Sequence, residues 1–373
     1  MDIRGFVKKE YLLMISAVLA ILSLFLVPFE TVLTYDYMRI LRTICTLLFF
    51  LLIVAGLKEC KALKKLAQLS VKRIRTSFLL CAVLIFLPFF YAMLFSNDVA
   101  LLTFVPLAVA ILKFADMRNA MAPVMILQTL AANVGSYLTP FGNPHNLYIF
   151  NMMDDYGFTL WEYESALIPI VVAGAAVILA LMMVLPKRKL EIREIKPVEL
   201  EHIKCIYVIL ALFILSVITV FGLIPFYITL VIVIIAFVIM MPQIFAKVDY
   251  SILLIFFFLF VFANGLTNMD DVHAVLSDLM SNDPMLTTVI VSQFTSNVPS
   301  TILLQPFTDN WAAVLVGADI GGFGTPMASM ASVITLKFYM EEEDQSVRRY
   351  LGIFLVFNII MLAALIPTYY LFG

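Results

Sequence analysis

Ser96-Asn97-Asp98 and Ser296-Asn297-Val298 put hydroxyls, amides and one carboxylate in the middle of apolar stretches. Two further interruptions, AANVGSYLTPFGNPHN (131–146) and GADIGGFGTPMASMAS (317–332), combine glycines with Thr139-Pro140 and Thr325-Pro326. Gly and Pro unwind a helix there. The freed N–H groups and half-helix N-termini attract anions, and the freed carbonyls coordinate cations. Asp98 and Asp319 are the carboxylates closest to these interruptions, and at membrane depth they could load a proton or Na⁺. The other reading of each is a helix cap, and the two overlap, because a cap can also hold a cation. Asn97, Asn133, Asn143, Asn146 and Asn297 offer amide donors and acceptors. Ser96, Ser296, Thr139, Thr301, Thr325 and Ser329 carry less weight one by one, since a helical hydroxyl often bonds its own i−4 carbonyl. Gly135, Gly142 and Gly321, with Gly322 and Gly324, let backbone approach a solute or pack helices closely. His145 reads as a hydrogen-bonded structural residue with the capacity to sense pH. It has no Cys or second His nearby to make a metal site with it.

The elements that hold these residues are set by composition. The chain of 373 residues is 63% hydrophobic and 13% charged, against about 25% charged in soluble proteins. That excludes a soluble globular domain, a disordered chain and a nucleic-acid binder. The apolar runs reach roughly 17–25 residues, the length of a membrane-spanning helix. They lack the alternation of a β-barrel. Spans are expected at 11–29, 40–57, 165–185, 205–222, 224–241, 250–266 and 350–371, with two interrupted helices at 120–150 and 311–338. If 77–113 and 285–308 are re-entrant hairpins, this is an all-α polytopic membrane protein of nine crossings plus two hairpins. The N-terminal apolar run has no small-x-small cleavage site before Pro28 and reads as a retained first helix. Cys45, Cys60, Cys81 and Cys205 show no ligand spacing and read as reduced.

Lysine and arginine test the hairpins. With the N-terminus inside, inner segments carry Arg4, Lys8 and Lys9, the basic stretch Lys58–Arg75, Lys113 and Arg118, the stretch Lys187–Lys204, Lys247, Lys337, Arg348 and Arg349. Only Arg39 and Arg42 fall outside. The outer loops 151–164 and 267–284 hold Asp154, Asp155, Glu162, Glu164, Asp270, Asp271, Asp278 and Asp283 and no basic residue. The positive-inside rule is then obeyed, whereas a full crossing at 77–113 would invert everything after it. The basic, amphipathic 58–75 segment suits the anionic inner leaflet.

The halves also resemble each other. LLIVAGL (51–57) aligns with FLFVFANGL (258–266), the Ser-Asn tips align, and the two interruptions align with Asn133 over Asp319, Gly135 over Gly321, Thr139 over Thr325, Asn143 over Ser329 and Asn146 over Ser332. Each half reads helix, amphipathic linker, hairpin, broken helix, helix. Charge starts one outside and the other inside, so the repeats are inverted. Paired broken helices in inverted repeats point to a secondary transporter with a site near the midplane, because unwound backbone is tolerated only in protein or beside a wet cavity.

On the Ser-Asn tips and the Asn-x-Gly…Thr-Pro-x-Gly-Asn-Pro-x-Asn run, the sequence resembles the ion transporter superfamily over residues 40–371. That group includes arsenite and antimonite permeases, Na⁺/H⁺ antiporters, and citrate and divalent-anion:Na⁺ symporters. The Asn97-Asp98 tip is closer to the arsenite and antiporter branches than to the Ser-Asn-Thr tips of divalent-anion symporters. The resemblance implies an elevator-type, homodimeric carrier with cation and substrate sites at the tips and breaks. The expected organisation is a scaffold helix and outer loop (1–39), a first repeat (40–185), a cytoplasmic linker (186–204), scaffold helices (205–249) and a second repeat (250–373). The expected function is ion-coupled transport of a small inorganic or organic anion across the cytoplasmic membrane, with Na⁺ or H⁺ as coupling ion, no cofactor, and the C-terminus outside. Na⁺/H⁺ antiport and arsenite or antimonite efflux are the alternatives. A channel suits the paired breaks less well, and no HExxH, GxSxG or P-loop supports an enzyme.

Overall fold

The computed structural model describes residues 11–71, 74–154, 159–189, 199–342 and 346–372. Arg4, Lys8, Lys9, Lys72, Arg73, Arg193, Lys196 and Asp155, which entered the charge argument, lie outside the described residues. The described chain is helical, with one isolated bridge between Thr76 and Lys189. In chain order the helices are α1 (Tyr11–Leu26), α2 (Phe29–Leu33), α3 (Tyr37–Glu59), α4 (Ala62–Val71), α5 (Ser77–Ala92), α6 (Asn97–Phe114), α7 (Met121–Ser136), α8 (Pro144–Asp154) and α9 (Leu160–Leu181). They continue with α10 (Ile203–Val220), α11 (Phe226–Met240), α12 (Ser251–Thr267), α13 (Asp270–Asn282), α14 (Pro284–Thr295), α15 (Asn297–Leu304), α16 (Trp311–Gly321), α17 (Met330–Met340) and α18 (Val347–Phe372).

The same order of elements occurs twice. A long apolar helix (α3, α12) runs into an amphipathic one (α4, α13). Lys61, in the left-handed region at φ 56°, separates α3 from α4, and a bend of 101° separates α12 from α13. Next come two helices side by side (α5–α6, α14–α15), joined at Ser96 and at Ser296, then an interrupted helix (α7 and α8, α16 and α17), then a long helix (α9, α18). The first arm of each pair packs on the first half of the following interrupted helix, α5 on α7 and α14 on α16. The second arms cross over: α6 packs on α17, and α15 on α8.

Five helices are long and apolar enough to cross a membrane, namely α3, α6, α9 with the turn after it, α10 and α18, and the bent pair α12–α13 makes a sixth. This is a multi-span membrane protein. The length test gives fewer spans than the nine crossings expected, for a physical reason. An 11-residue half-helix such as α16 or α17 rises only about 16 Å, so an interrupted helix spans only as a pair. In the other direction, α6 passes on length but folds back beside α5.

Polar contacts at the helix ends join distant segments. Ser77 N–H donates to the Arg188 carbonyl at 2.8 Å, Arg188 N–H donates to Ser77 Oγ at 2.7 Å, and the Arg188 guanidinium donates to the carbonyls of Ala115 and Asp116. Both feet of the α5–α6 pair are thereby tied to one residue. Lys113 pairs with Glu342, Lys61 with Glu201, and Lys247 with Glu59. Each of these contacts joins two segments that the positive-inside count puts on the same face. On the opposite face, Tyr370 donates to Asp283.

Candidate functional site

The two interruptions meet at Asp319. It sits at the end of α16 and is fully buried. His145 Nε2, one residue into α8, lies 2.9 Å from Asp319 Oδ1, and Asn146 Nδ2 donates to Oδ2 at 3.5 Å. The Tyr137 hydroxyl, from the first break, donates to the Asp319 backbone carbonyl. His145 and Asn146 are also fully buried. Pro144 explains their placement: it restarts the helix as α8 at the first position, where its missing N–H costs nothing, and so aims the next two side chains back into the break.

In the first half, Asn97 Nδ2 donates to Asn133 Oδ1 at 2.9 Å, and Asn97 Oδ1 accepts the Asp98 N–H at 2.9 Å. Ser96 is extended and bonds no helix end. Thr139 Oγ1 donates to the Met93 carbonyl at 2.6 Å, fixing the break to the pair α5–α6. Pro140–Gly142 form a 3-10 turn, and Asn143 Nδ2 donates to Ser136 Oγ at 2.6 Å. A methyl group on Gly135 would lie 2.1 Å from the Phe89 carbonyl oxygen, so α7 and α5 touch backbone to side-chain-free backbone.

The second half repeats the scheme with different partners. Thr325 Oγ1 donates to the Gln293 carbonyl at 2.9 Å, the counterpart of Thr139 on Met93. Asn297 Oδ1 accepts the Val298 N–H at 3.0 Å, and the Asn297 N–H donates to the Ala328 carbonyl at 3.0 Å. Gln293 closes the break: its amide donates to the carbonyls of Gly321 and Phe323 and accepts the Thr325 N–H. Asn358 of α18 accepts the N–H of Gly324, whose φ of +114° only glycine adopts without strain. Ser296 holds φ at 76°, an uncommon conformation for a residue with a side chain. Gly321 lies against Ser292, Thr301 bonds back to the Asn297 carbonyl within its own helix, Ser329 is buried ahead of α17 with no cap bond, and Pro326 is half-buried.

Two expectations need correction. The charge count put every Lys and Arg on an inner segment or, for Arg39 and Arg42, outside, and so none beside either aspartate. His145 lies on Asp319, and Lys58, at the end of α3, is close enough to the half-buried Asp98 for the charges to act on each other. Lys58 opens the basic run read as inner, and its long side chain lets its charge act at a distance from its own backbone. His145 joins the site directly instead of serving only as a structural residue. Tyr137, Gln293 and Asn358 were not singled out. Gln293, four residues before the tip in an apolar stretch, is the one with a visible signal.

The two breaks differ in what they leave unpaired. Gln293 and Asn358 saturate the second. In the first, Asn133 Nδ2, His145 Nδ1 and Asn146 Oδ1 are buried without a hydrogen-bond partner, each at a cost of about 1–3 kcal/mol. His145 Nδ1 and Asn146 Oδ1 thus belong to the two side chains that hold a buried carboxylate, an arrangement suited to a proton or a small polar solute. Among the described residues no cluster of three His, Cys, Asp or Glu side chains could hold a metal.

Sequence comparison finds a family and relatives for this chain. The sequence profile of the family described as "Citrate transporter" matches residues 7–337. The "Uncharacterized transporter MJ0456" of Methanocaldococcus jannaschii is 32% identical over 327 residues, 87% of this chain and 88% of the relative. The "Inner membrane protein YbiR" of Escherichia coli K12 is 27% identical over 308 residues, 79% of each chain.

Proposed function

This chain belongs to the citrate transporter family, a transporter family and not one of enzymes, and on that premise we propose that it is a proton-coupled secondary transporter of a small anionic solute. The observation that carries the reading is the contact between Asp319 and His145. It joins the break of one half to the break of the other, in a fully buried place. An ionised Asp319 would repel an anion brought to the same break. A proton shared by the pair removes that repulsion, so loading the proton favours loading the anion. Na⁺ coupling would call for several oxygen ligands, whereas Asp319 already spends one oxygen on an imidazole.

The two halves are read as inverted repeats, with α5–α6 and α14–α15 as re-entrant hairpins entering from opposite faces. The shared tie of Thr76, Ser77, Ala115 and Asp116 to residues 188–189 supports that reading for the first hairpin. The hairpins, interrupted helices, α9 and α18 form a body that moves as an elevator against α1, α3 and α10–α12. Rings at the boundary between them favour sliding: Phe50 and Phe213 on one side meet Phe95 and Phe141 on the other, at centroid separations of 5.1–6.1 Å. In this reading the N-terminus is inside and the C-terminus outside, and the membrane is the cytoplasmic one, as the name of the Escherichia coli inner membrane relative suggests for that protein. Two copies pair chiefly through α1 and the helices of 205–241, where α11 exposes Ile228, Val231, Ile235 and Ile239. A monomeric mass in mild detergent with transport intact would remove the dimer from the proposal.

Counterflow into proteoliposomes tests the function. Labelled citrate is the first probe, with di- and tricarboxylates and inorganic oxyanions as competitors. Saturable exchange, accelerated by an inward proton gradient and indifferent to Na⁺, is the expected result. Flux that neither saturates nor exchanges would make the protein a channel, and a strict Na⁺ requirement would remove the proton from its role.

A further inference from the structure

One face of α3 changes character halfway along. Asp36, just ahead of the helix, and then Arg39, Thr43, Thr46, Phe50, Ile53 and Leu57 follow one another at alternating steps of three and four, so they form a single stripe. The stripe is polar as far as Thr46 and apolar from Phe50 on. The polar part lies against α8. There α8 carries His145, Tyr148 and Asn151 at three-residue spacing on one side. All three are buried, as are Thr43 and Thr46. Asn151 Nδ2 donates to Thr43 Oγ1 at 3.2 Å and Thr46 Oγ1 at 3.4 Å. The Tyr148 hydroxyl lies within range of the Arg39 charge. Arg39, with Asp36 and Arg42, lines an open cleft of about 340 Å³ whose other wall is Thr219, Gly222, Pro225 and Phe226.

A boundary that had only to be tight would be apolar throughout, as the second half of the stripe is. Instead, Asn151 Oδ1 and His145 Nδ1 are buried without partners along this line. Hydroxyls and unpaired polar atoms therefore run from the open cleft to the buried carboxylate.

We propose that the polar stripe between α3 and α8 is the route by which protons pass between the cleft at Asp36, Arg39 and Arg42 and the Asp319–His145 pair. The inference rests on the proton-coupled reading of that pair and adds its point of access. Water from the cleft, ordered by Asn151 and relayed past the hydroxyls of Thr43, Thr46 and Tyr148, delivers a proton to His145 Nδ1. An N–H bond forms at Nδ1, the N–H bond at Nε2 breaks, and its proton forms an O–H bond on Asp319 Oδ1. The carboxylate becomes neutral, and the imidazole is left neutral as its other tautomer. The ring resets when the proton returns. Asp319 from α16 faces His145 directly; around the pair, Tyr137 bonds the Asp319 carbonyl, Tyr163 from α9 lies within range of the Asp319 charge, and Tyr148 of α8 itself lies within range of Arg39 from α3. The segments of α12 and α15, which also pack near α8, contain none.

The test follows the protonation of Asp319 after a jump in external pH, in proteoliposomes buffered inside. The probe is the infrared carbonyl stretch of its protonated carboxyl, identified by its loss in Asp319→Asn. Asn151→Leu, Thr46→Val and Tyr148→Phe should reach the wild-type end point about tenfold more slowly or worse, while Thr46→Ser, which keeps the hydroxyl, should match wild type. If Asn151→Leu does not fold, Thr46→Val and Tyr148→Phe carry the comparison. Wild-type rates in these variants, with a titrating Asp319 band, overturn the route and leave the coupling reading standing. A wild-type protein in which no such band titrates overturns both.

Discussion

Asn133 and Asp319 occupy corresponding positions in the two halves, yet Asn133 is held by Asn97 of its own half at 2.9 Å and Asp319 by His145 of the other half at 2.9 Å. The residue aligned with His145 is Ala331, which has nothing to offer Asn133. A symmetric frame therefore carries a carboxylate at only one of these two matching positions, and its coupling should centre on the Asp319–His145 pair.

Asp319→Asn should fold, because an amide can still accept a hydrogen bond from His145 and Asn146. It should exchange solute at fixed pH but lose acceleration by a proton gradient. Uptake by Asp319→Asn that still follows the gradient would sink the assignment. His145→Ala leaves a buried carboxylate short of its closest partner and should lower stability by about 1–3 kcal/mol, read by thermal unfolding in detergent.

Lys58 and Asp98 should couple energetically. Asp98→Asn removes the charge that Lys58 feels, and Lys58→Gln does the converse. The double variant should be more stable than the sum of the single losses predicts, with a coupling of about 0.5–3 kcal/mol. Additive losses would mean the two charges do not act on each other in the folded protein.

Gly135→Ala should be severely destabilising, since its methyl group would meet the Phe89 carbonyl oxygen at 2.1 Å and the two backbones would have to part. Overpacking of this kind costs about 1–3 kcal/mol or more. Gly352→Ala, with nothing within 4 Å, is the control and should unfold at or slightly above the wild-type temperature.

Cysteines replacing Arg75 and Lys113 should label from the same side of the membrane, because Ser77 at the foot of α5 and Ala115 and Asp116 at the foot of α6 all bond Arg188. A cysteine at Asp283 should label from the other side. Labelling of the first two from opposite sides would rule out the hairpin.

The start of α9 should respond to acid. Glu162 accepts the Thr159 N–H at 2.7 Å and the Thr159 hydroxyl at 2.9 Å, and these bonds hold its carboxyl below the usual range. A lowered carboxyl stabilises the helix start above the ordinary Glu value of about 4.3, and that contribution is lost as pH falls through the lowered value. Amide exchange at residues 159–163 should rise over that acidic window, and Glu162→Gln should remove most of the dependence.

Much of this could be read in the residues. The helices came from apolar runs and the breaks from Thr139-Pro140 and Thr325-Pro326, because each is a local property of the chain. The partners of the aspartates could not be read so. His145 and Asp319 are brought together by the crossing of α8 and α16, which no spacing in the chain encodes. Gln293 and Asn358 looked like isolated polar residues in apolar helices until the second break was seen to use them. The influence of Lys58 on Asp98 could not be read either, because a side chain several bonds long carries its charge away from its own backbone.

Arg188 also imposes an order on assembly. The ribosome releases α5 and α6 well before α9 and the residues after it, so the base of the first hairpin has nothing to close on while its arms are already in the membrane. The hairpin stays open at its foot until Arg188 emerges and ties Ser77, Ala115 and Asp116 together. The first half is thereby sealed as a unit, by a residue that follows all of its helices, before any of the second half is made.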